Sequence, residues 1–233
     1  DNFKINKSLI DYINWFSAYN LVSKGMVLKM CLGDKKNTLK IEKYKKNTFK
    51  KESKFILNKE QKKSLEDLKR FGNKFNVSLL QGVTGSGKTI VYFERIKEIL
   101  NSGKQVLILL PEIFLTNQFK ERFVEFFGFL PSIWHSKIGI KSKRKIWQSV
   151  VSGNLNLVIG ARSSLLLPFK NLGLIVLDEE HDPSYKQDEG IIYHARDMAI
   201  ARASEENIPI HLVSAVPSLE TYNNIKTKKY NHT

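Results

Sequence analysis

The chain has a single cysteine, Cys31, in 233 residues. That excludes an internal disulfide and a cysteine-rich zinc site, and it fits a reducing compartment. No apolar run approaches the roughly 18 residues that a membrane span needs, so no membrane association is expected. The opening DNFKINKSLIDY lacks the apolar core of a signal peptide. It also lacks a methionine, and we expect a piece of something longer. No internal repeat is present. Acidic residues are scarce: 23 against 38 Lys and Arg, a formal net charge of +15. The imbalance is densest in KKNTLKIEKYKKNTFKKESK, Lys35 to Lys54. Such runs are solvated linkers or nucleic-acid arms. The Lys, Asn and Ile usage of an AT-biased genome gives the same pattern, so both readings stand.

What is present is a globular composition, 42% hydrophobic, 11% aromatic and 26% charged, enough for one large domain or two modest ones. Residues 1–33 combine a helical pattern, SLIDYINWFSAYNLV, with a short strand-like apolar piece, GMVLKMCL. Residues 34–54 read as a linker or wing. From Phe55 onward, apolar runs alternate with helical patterns. VSLLQ (77–81), QVLILL (105–110), LNLVIG (155–160), LGLIVL (172–177) and IPIHLVS (208–214) are the expected strands. Helices are expected from Lys88 to about Asn101 and near Thr116 to Phe127. Alternation of this kind predicts βαβ units and an α/β fold with a parallel sheet.

Two segments carry chemistry. In LLQGVTGSGKTIVYFERI, Gly82-x-x-x-x-Gly87-Lys88-Thr89 matches a phosphate-cradling loop, with a strand before it and an amphipathic helix after it. Glycines let backbone N–H groups turn toward phosphate oxygens, and the helix start points its positive dipole end at the same anion. Lys88 would reach the β- and γ-phosphates, and the Thr89 hydroxyl would ligate Mg²⁺. The second segment is GLIVLDEEHDPSYKQ. A buried strand ending in Asp178-Glu179-Glu180-His181 places carboxylates where parallel sheets bind ligands, beyond the strand's carboxyl end. Asp178 would hold the Mg²⁺ shell, and Glu179 would orient or deprotonate a water. Taken alone, the acidic turn also reads as an ordinary surface turn. His181 has no partners at metal-ligand spacing.

The box Asp178-Glu179-Glu180-His181 resembles that of superfamily 2 helicases and translocases. Gln61, in LNKEQKKSLEDL, is similar to their adenine-reading glutamine. LLPEIFLTNQF, IWHSKI and VIGARSSLLLPF resemble their strand-contacting segments, and VSAVPSLET the segment coupling hydrolysis to movement. Together with LDEEHDPSYKQDEGIIYHARDMAIARA, these segments resemble the PriA family of primosomal replication-restart helicases (primosomal protein N′), in unbroken order from about Phe55 to Tyr230. YINWFSAYNLVSKGMVLKMCL is more weakly similar to that family's winged-helix DNA-binding domain.

The resemblance implies a RecA-like P-loop NTPase lobe at 54–233, its central parallel sheet flanked by helices. It implies a partial winged-helix-like DNA-binding segment with a basic linker at 1–53. It implies a bacterial, cytoplasmic, ATP- and Mg²⁺-dependent 3′→5′ DNA helicase. Expected partners are single-stranded or forked DNA, the primosome and single-strand-binding proteins. The implied nucleotide site is Gln61, Gly82, Thr84, Gly85, Ser86, Gly87, Lys88, Thr89, Asp178 and Glu179. The implied aromatic-rich DNA loop is Tyr185, Lys186, Gln187 and Tyr193, whose aromatic faces would stack on unpaired bases. Read without the family, Tyr185 and Tyr193 fit core or rim aromatics as well. Arg162 and Ser163 would contact phosphates, although a structural Arg fits the same position; His135 would lie near the strand path or be structural. His181 would bridge to Ser214 and couple hydrolysis to DNA.

Two departures follow. Val216 stands where the family has threonine, which removes a hydroxyl. The sequence also stops after this segment, so the second lobe with its arginine finger and zinc module is expected to be missing, as is the 3′-end-capturing domain. Weak nucleotide binding and little hydrolysis are then expected from the chain alone. A non-enzymatic DNA-binding remnant and another superfamily 2 translocase, RecG-like or restriction-type, are the alternatives.

Overall fold

The structure, a computed structural model, describes residues 5–33 and 55–233. The basic run at 34–54 lies outside them. In chain order the elements are α1 (Lys7–Tyr19), α2 (Lys24–Leu32), α3 (Lys59–Arg70), β1 (Asn76–Gln81), α4 (Lys88–Asn101), β2 (Gln105–Leu109), α5 (Asn117–Phe127) and β3 (Ser132–Trp134). There follow α6 (Ile140–Ser152), β4 (Leu157–Gly160), β5 (Leu172–Asp178), β6 (Lys186–Gln187), β7 (Tyr193–His194), α7 (Ala195–Glu205), β8 (Pro209–Ser214), α8 (Leu219–Lys226) and β9 (Asn231–His232).

Seven strands form one sheet in the order β3-β4-β2-β5-β8-β1-β9, and every adjacent pair is parallel. The expected α/β fold with a central parallel sheet is what the chain adopts. Continuous apolar strands are the signature of a sheet covered on both faces, and side chains alternate between faces. In β5, Leu172, Ile175 and Leu177 join one core, while Leu174 and Val176 join the other. In β2, Leu107 and Leu109 divide from Val106 and Ile108 in the same way.

One face is covered by α3, α4 and α5, with Phe93, Phe123, Phe126 and Phe127 packed ring against ring. The other face is covered by α6, α7 and the N-terminal pair α1 and α2. The α1 helix is capped by Asn6, whose side chain accepts from the Leu9 N–H at 2.8 Å. Its Leu9, Tyr12, Ile13 and Phe16 recur at helical spacing and are all buried.

The strand-like reading of GMVLKMCL is overturned. Ser23 caps a helix here, Gly33 ends it at φ +63°, and Val27 and Cys31, one turn apart, are the inward residues. The Trp147 indole then donates to the Cys31 carbonyl at 2.8 Å, fixing α2 to α6. The described part of the winged-helix-like segment is therefore two helices laid on the sheet; the rest of that reading falls outside the described residues. The short strand β3 and the helix α6 were not resolved by the sequence pattern, β3 being only three residues long.

Candidate nucleotide site and strand-contact face

The phosphate loop leaves β1 and enters α4, as its spacing predicts. Its glycines do distinct work. Gly85 and Gly87 sit at φ +83° and +84°, left-handed conformations that cost other residues dearly. At Gly82 the limit is space, since a Cβ would come within 2.7 Å of Ser86 Oγ. A Cβ on Gly87 would collide with the Gln61 amide. The Ser86 N–H donates to the Val83 carbonyl at 3.1 Å, closing the turn, and Thr84 is exposed at its tip. Lys88 Nζ donates to the carbonyls of Gly82 (2.6 Å) and Val83 (3.2 Å), so the ammonium is held at the loop.

Gln61 is placed against this loop by α3. Its Oε1 accepts from the Asn58 N–H at 3.0 Å, half of a capping box, and its Nε2 donates to the Ser86 carbonyl at 2.8 Å. Gln61 is thus a brace between α3 and the phosphate loop.

At the end of β5, Asp178 is buried. Its Oδ2 accepts from the Tyr92 hydroxyl at 2.8 Å and its Oδ1 from the Glu179 N–H at 3.0 Å. Burial is the main influence on this carboxyl and pushes its pKa up to about 6, against a smaller opposing effect of the Tyr92 hydrogen bond. Tyr92, one turn from Thr89 in α4, therefore ties Asp178 to the helix that carries the other expected Mg²⁺ ligand. Sequence reasoning missed it, although its spacing from Thr89 is the usual one-turn neighbour distance.

Glu179 turns the chain out of the sheet at φ +50°, a left-handed conformation unusual for a side chain of its kind. Its Oε2 lies 3.7 Å from His181 Nδ1. His181 Nδ1 is 2.8 Å from Ser214 Oγ at the end of β8, the bridge expected from the family resemblance. Ser214 Oγ also accepts from the Val216 N–H at 3.1 Å, which closes the turn that follows.

Glu180 is the most connected side chain of the box. It is buried and accepts from Arg196 Nη1 (3.1 Å), Ser218 N–H (2.6 Å), Ser218 Oγ (3.1 Å) and Thr221 Oγ1 (3.0 Å). It locks β5, α7 and the start of α8 to one another.

The aromatic loop needs correction. Tyr185 and Tyr193 are buried, at 1% and 4% exposure, so neither ring is open to stack on a base. The Tyr185 hydroxyl donates toward the carbonyls of Asp178 (2.6 Å) and Leu109 (3.1 Å), bracing the ends of β5 and β2. Tyr193 packs edge-on against Phe16 of α1, with ring centres 5.3 Å apart. Lys186 is exposed and pairs with Asp188 at 3.1 Å. The Gln187 amide donates to the carbonyls of Glu189 and Ile191 inside the β6–β7 hairpin. Arg162 donates to the Lys186 carbonyl, which joins it to that hairpin. Ser163 is exposed and accepts from the Trp134 indole at 3.2 Å. His135 Nδ1 accepts from the Lys137 N–H at 3.3 Å, a local turn contact.

The phosphate loop, the acidic box and Ser214 thus meet at the carboxyl ends of three adjacent strands, β1, β5 and β8. A family model described as DEAD/DEAH box helicase matches residues 58–225. The chain belongs to the DEAD/DEAH box helicase family. Its first strand–loop–helix and its Asp178 box both lie within the matched residues. Replication restart protein PriA of Rickettsia conorii is 46% identical over 236 residues, covering 98% of this chain and 35% of that protein. PriA of Haemophilus influenzae is 49% identical over 181 residues, 78% of this chain and 25% of that protein. The resemblance to PriA holds over nearly the whole helicase-family chain, which itself spans about 35% of the first relative's length. Among solved structures, RecG bound to a three-way DNA junction superposes with a TM-score of 0.56 at 23% identity, covering 90% of this chain and 29% of that one. That likeness concerns the fold. Among the described residues, no helix is long and apolar enough to cross a membrane.

Proposed function

We propose that this chain is the ATP-binding first lobe of a PriA-type 3′→5′ DNA helicase of replication restart. The convergence of Lys88, Asp178–Glu179 and the His181–Ser214 bridge on one edge of a parallel sheet carries this reading.

The residues present fit a magnesium nucleotide. Two left-handed glycines and a tight Gly82 leave room for phosphate oxygens beside backbone N–H groups. A buried carboxyl whose pKa is pushed up by burial is favoured as an anion by a nearby divalent cation. ATP with its magnesium supplies the phosphoanhydride bond when bound. Gly82, Thr84, Gly85, Ser86, Gly87 and Lys88 would hold the phosphates, and Thr89 and Asp178 the metal side. Gln61 braces the loop through the Ser86 carbonyl and would contact the base. Glu179, with its carboxylate beside His181, would orient a water and take its proton. The 2.8 Å His181–Ser214 contact joins that carboxylate's neighbour to the end of β8 and would carry a shift at one end to the other. On this reading the partners are single-stranded or forked DNA, the primosome and single-strand-binding protein, in the bacterial cytoplasm.

The test is ATP hydrolysis and nucleotide binding by the 233-residue chain, with and without forked DNA, beside Lys88→Ala. DNA-stimulated turnover that disappears in Lys88→Ala supports the reading. Nucleotide binding without turnover keeps the ATP-binding lobe and removes autonomous motor activity. A labelled ATP analogue bound equally well by both proteins would sink the assignment of Lys88.

A further inference from the structure

Tyr185 and Tyr193 are buried and offer no ring to a base, but Trp134 lines an open cavity. A cavity of about 460 Å³ opens where β3, α6, α2 and the turn after β4 meet, lined by Met30, Trp134, Ile140, Lys143, Ser163 and Leu166. Its volume is within the usual range for small-ligand pockets. Trp134 ends β3 and pairs in register with Gly160 at the end of β4, so the cavity lies on the ligand-binding edge of the sheet. The indole is half-buried and oriented by its N–H, which donates to Ser163 Oγ at 3.2 Å.

The electrostatics point the same way. Between Glu125 and Asp178 the sequence has no acidic residue and seven Lys or Arg. Four of these, Lys141, Lys143, Arg144 and Lys145, crowd the start of α6, where the helix dipole disfavours cations. Lys143 Nζ donates to the Ser136 carbonyl at 3.0 Å, and an ammonium has two further protons to give. An apolar floor with one oriented indole and the Lys143 ammonium at its edge suits a flat ring carrying a phosphate.

We propose that this cavity takes an unpaired base of single-stranded DNA, stacked on Trp134, with its phosphate at Lys143. The inference rests on the DNA-motor reading above and adds a residue to it. Stacking is indifferent to base identity, because every base has a π-face.

The experiment is fluorescence anisotropy of labelled oligo-dT and of an equally long abasic strand, with the whole chain. Wild type should prefer oligo-dT. Trp134→Leu keeps apolar volume and removes the π-face; it should lower oligo-dT affinity about 5- to 150-fold, the range of one lost base stack, and leave the abasic strand unaffected. Trp134→Phe should retain most of the preference. Lys143→Ala should lower the slope of log affinity against log salt by about 0.7, one phosphate on a single strand. Unchanged oligo-dT binding by a folded Trp134→Leu overturns the proposal, as does an equal loss for both strands. If wild type binds nucleotide and oligo-dT but Trp134→Leu is silent, only the pocket falls. If wild type binds neither strand, the DNA reading falls and the pocket with it.

Discussion

The phosphate loop and the β5–β8 junction occupy the same edge of the sheet and are built in opposite ways. The loop is held by glycine conformations, a lysine folded onto its own carbonyls and one brace from Gln61. The junction is knitted by side chains distant in sequence, with Glu180 at its centre. The contrast is sharpest between Asp178 and Glu180, two residues apart. Both carboxylates are buried. Glu180 has a guanidinium and three further donors, whereas Asp178 has a tyrosine hydroxyl and one N–H. A buried carboxylate with full compensation is structure; one left under-compensated is a place for a cation.

Breaking the junction should have the largest effect. Glu180→Ala leaves Arg196 buried without its main partner and should cost about 3–5 kcal/mol in urea unfolding, with Glu180→Gln costing less. A loss below about 1 kcal/mol would mean that Glu180 does not hold the junction.

Removing the Asp178 charge should do the reverse. The folded pKa is raised from 3.8 to about 6, so the folded state binds the proton more tightly than the unfolded chain. The stability this gives is fully present below pH 4 and is lost as pH rises through 6. Asp178→Asn should therefore stabilise the protein at pH 8 by about 2–3 kcal/mol, lose that advantage below pH 4, and abolish magnesium-dependent nucleotide binding. His211 pulls the other way. It is wholly buried, and its pKa is lowered to about 3, chiefly by that burial. Its contribution is present above about pH 6.5 and is lost as pH falls toward 3. The two slopes oppose each other between pH 4 and 6, so the Asp178 effect is read from the difference between variant and wild type at each pH.

The smallest effect is expected at Val216. This side chain is 70% exposed, so Val216→Thr should change stability by less than about 0.5 kcal/mol. Any gain in DNA-stimulated hydrolysis would then report the added hydroxyl acting on coupling, separate from the fold.

The parts of this site that were legible in the sequence are those fixed by local chemistry. Glycine spacing marks the phosphate loop, and an apolar run ending in acids marks the end of β5. The remainder depends on partners the sequence does not announce. Tyr193 reads equally well as a stacking ring or a core ring until Phe16, far away in the chain, is found against it. Glu180 looks like one acid among three until Arg196, Ser218 and Thr221 converge on it. GMVLKMCL has the composition of a strand, and becomes a helix because Ser23 caps it and α6 and the sheet bury its Val27–Cys31 side.

The positions of α1, α2 and β9 bear on what counts as one unit of this protein. The helicase family model begins at residue 58 and ends at residue 225. Yet Tyr12, Phe16 and Val27 lie before it inside the sheet's core, and after it Asn231 and His232 add a strand to β1. The segment that the helicase family model matches is smaller than the segment that shares the core and the sheet. Cutting at the recognisable boundaries would uncover Tyr193, Met198 and Ala199 on one face and leave β1 as a raw edge. Domain shuffling of this lobe would have to carry those flanking pieces along, or replace them with others of the same shape.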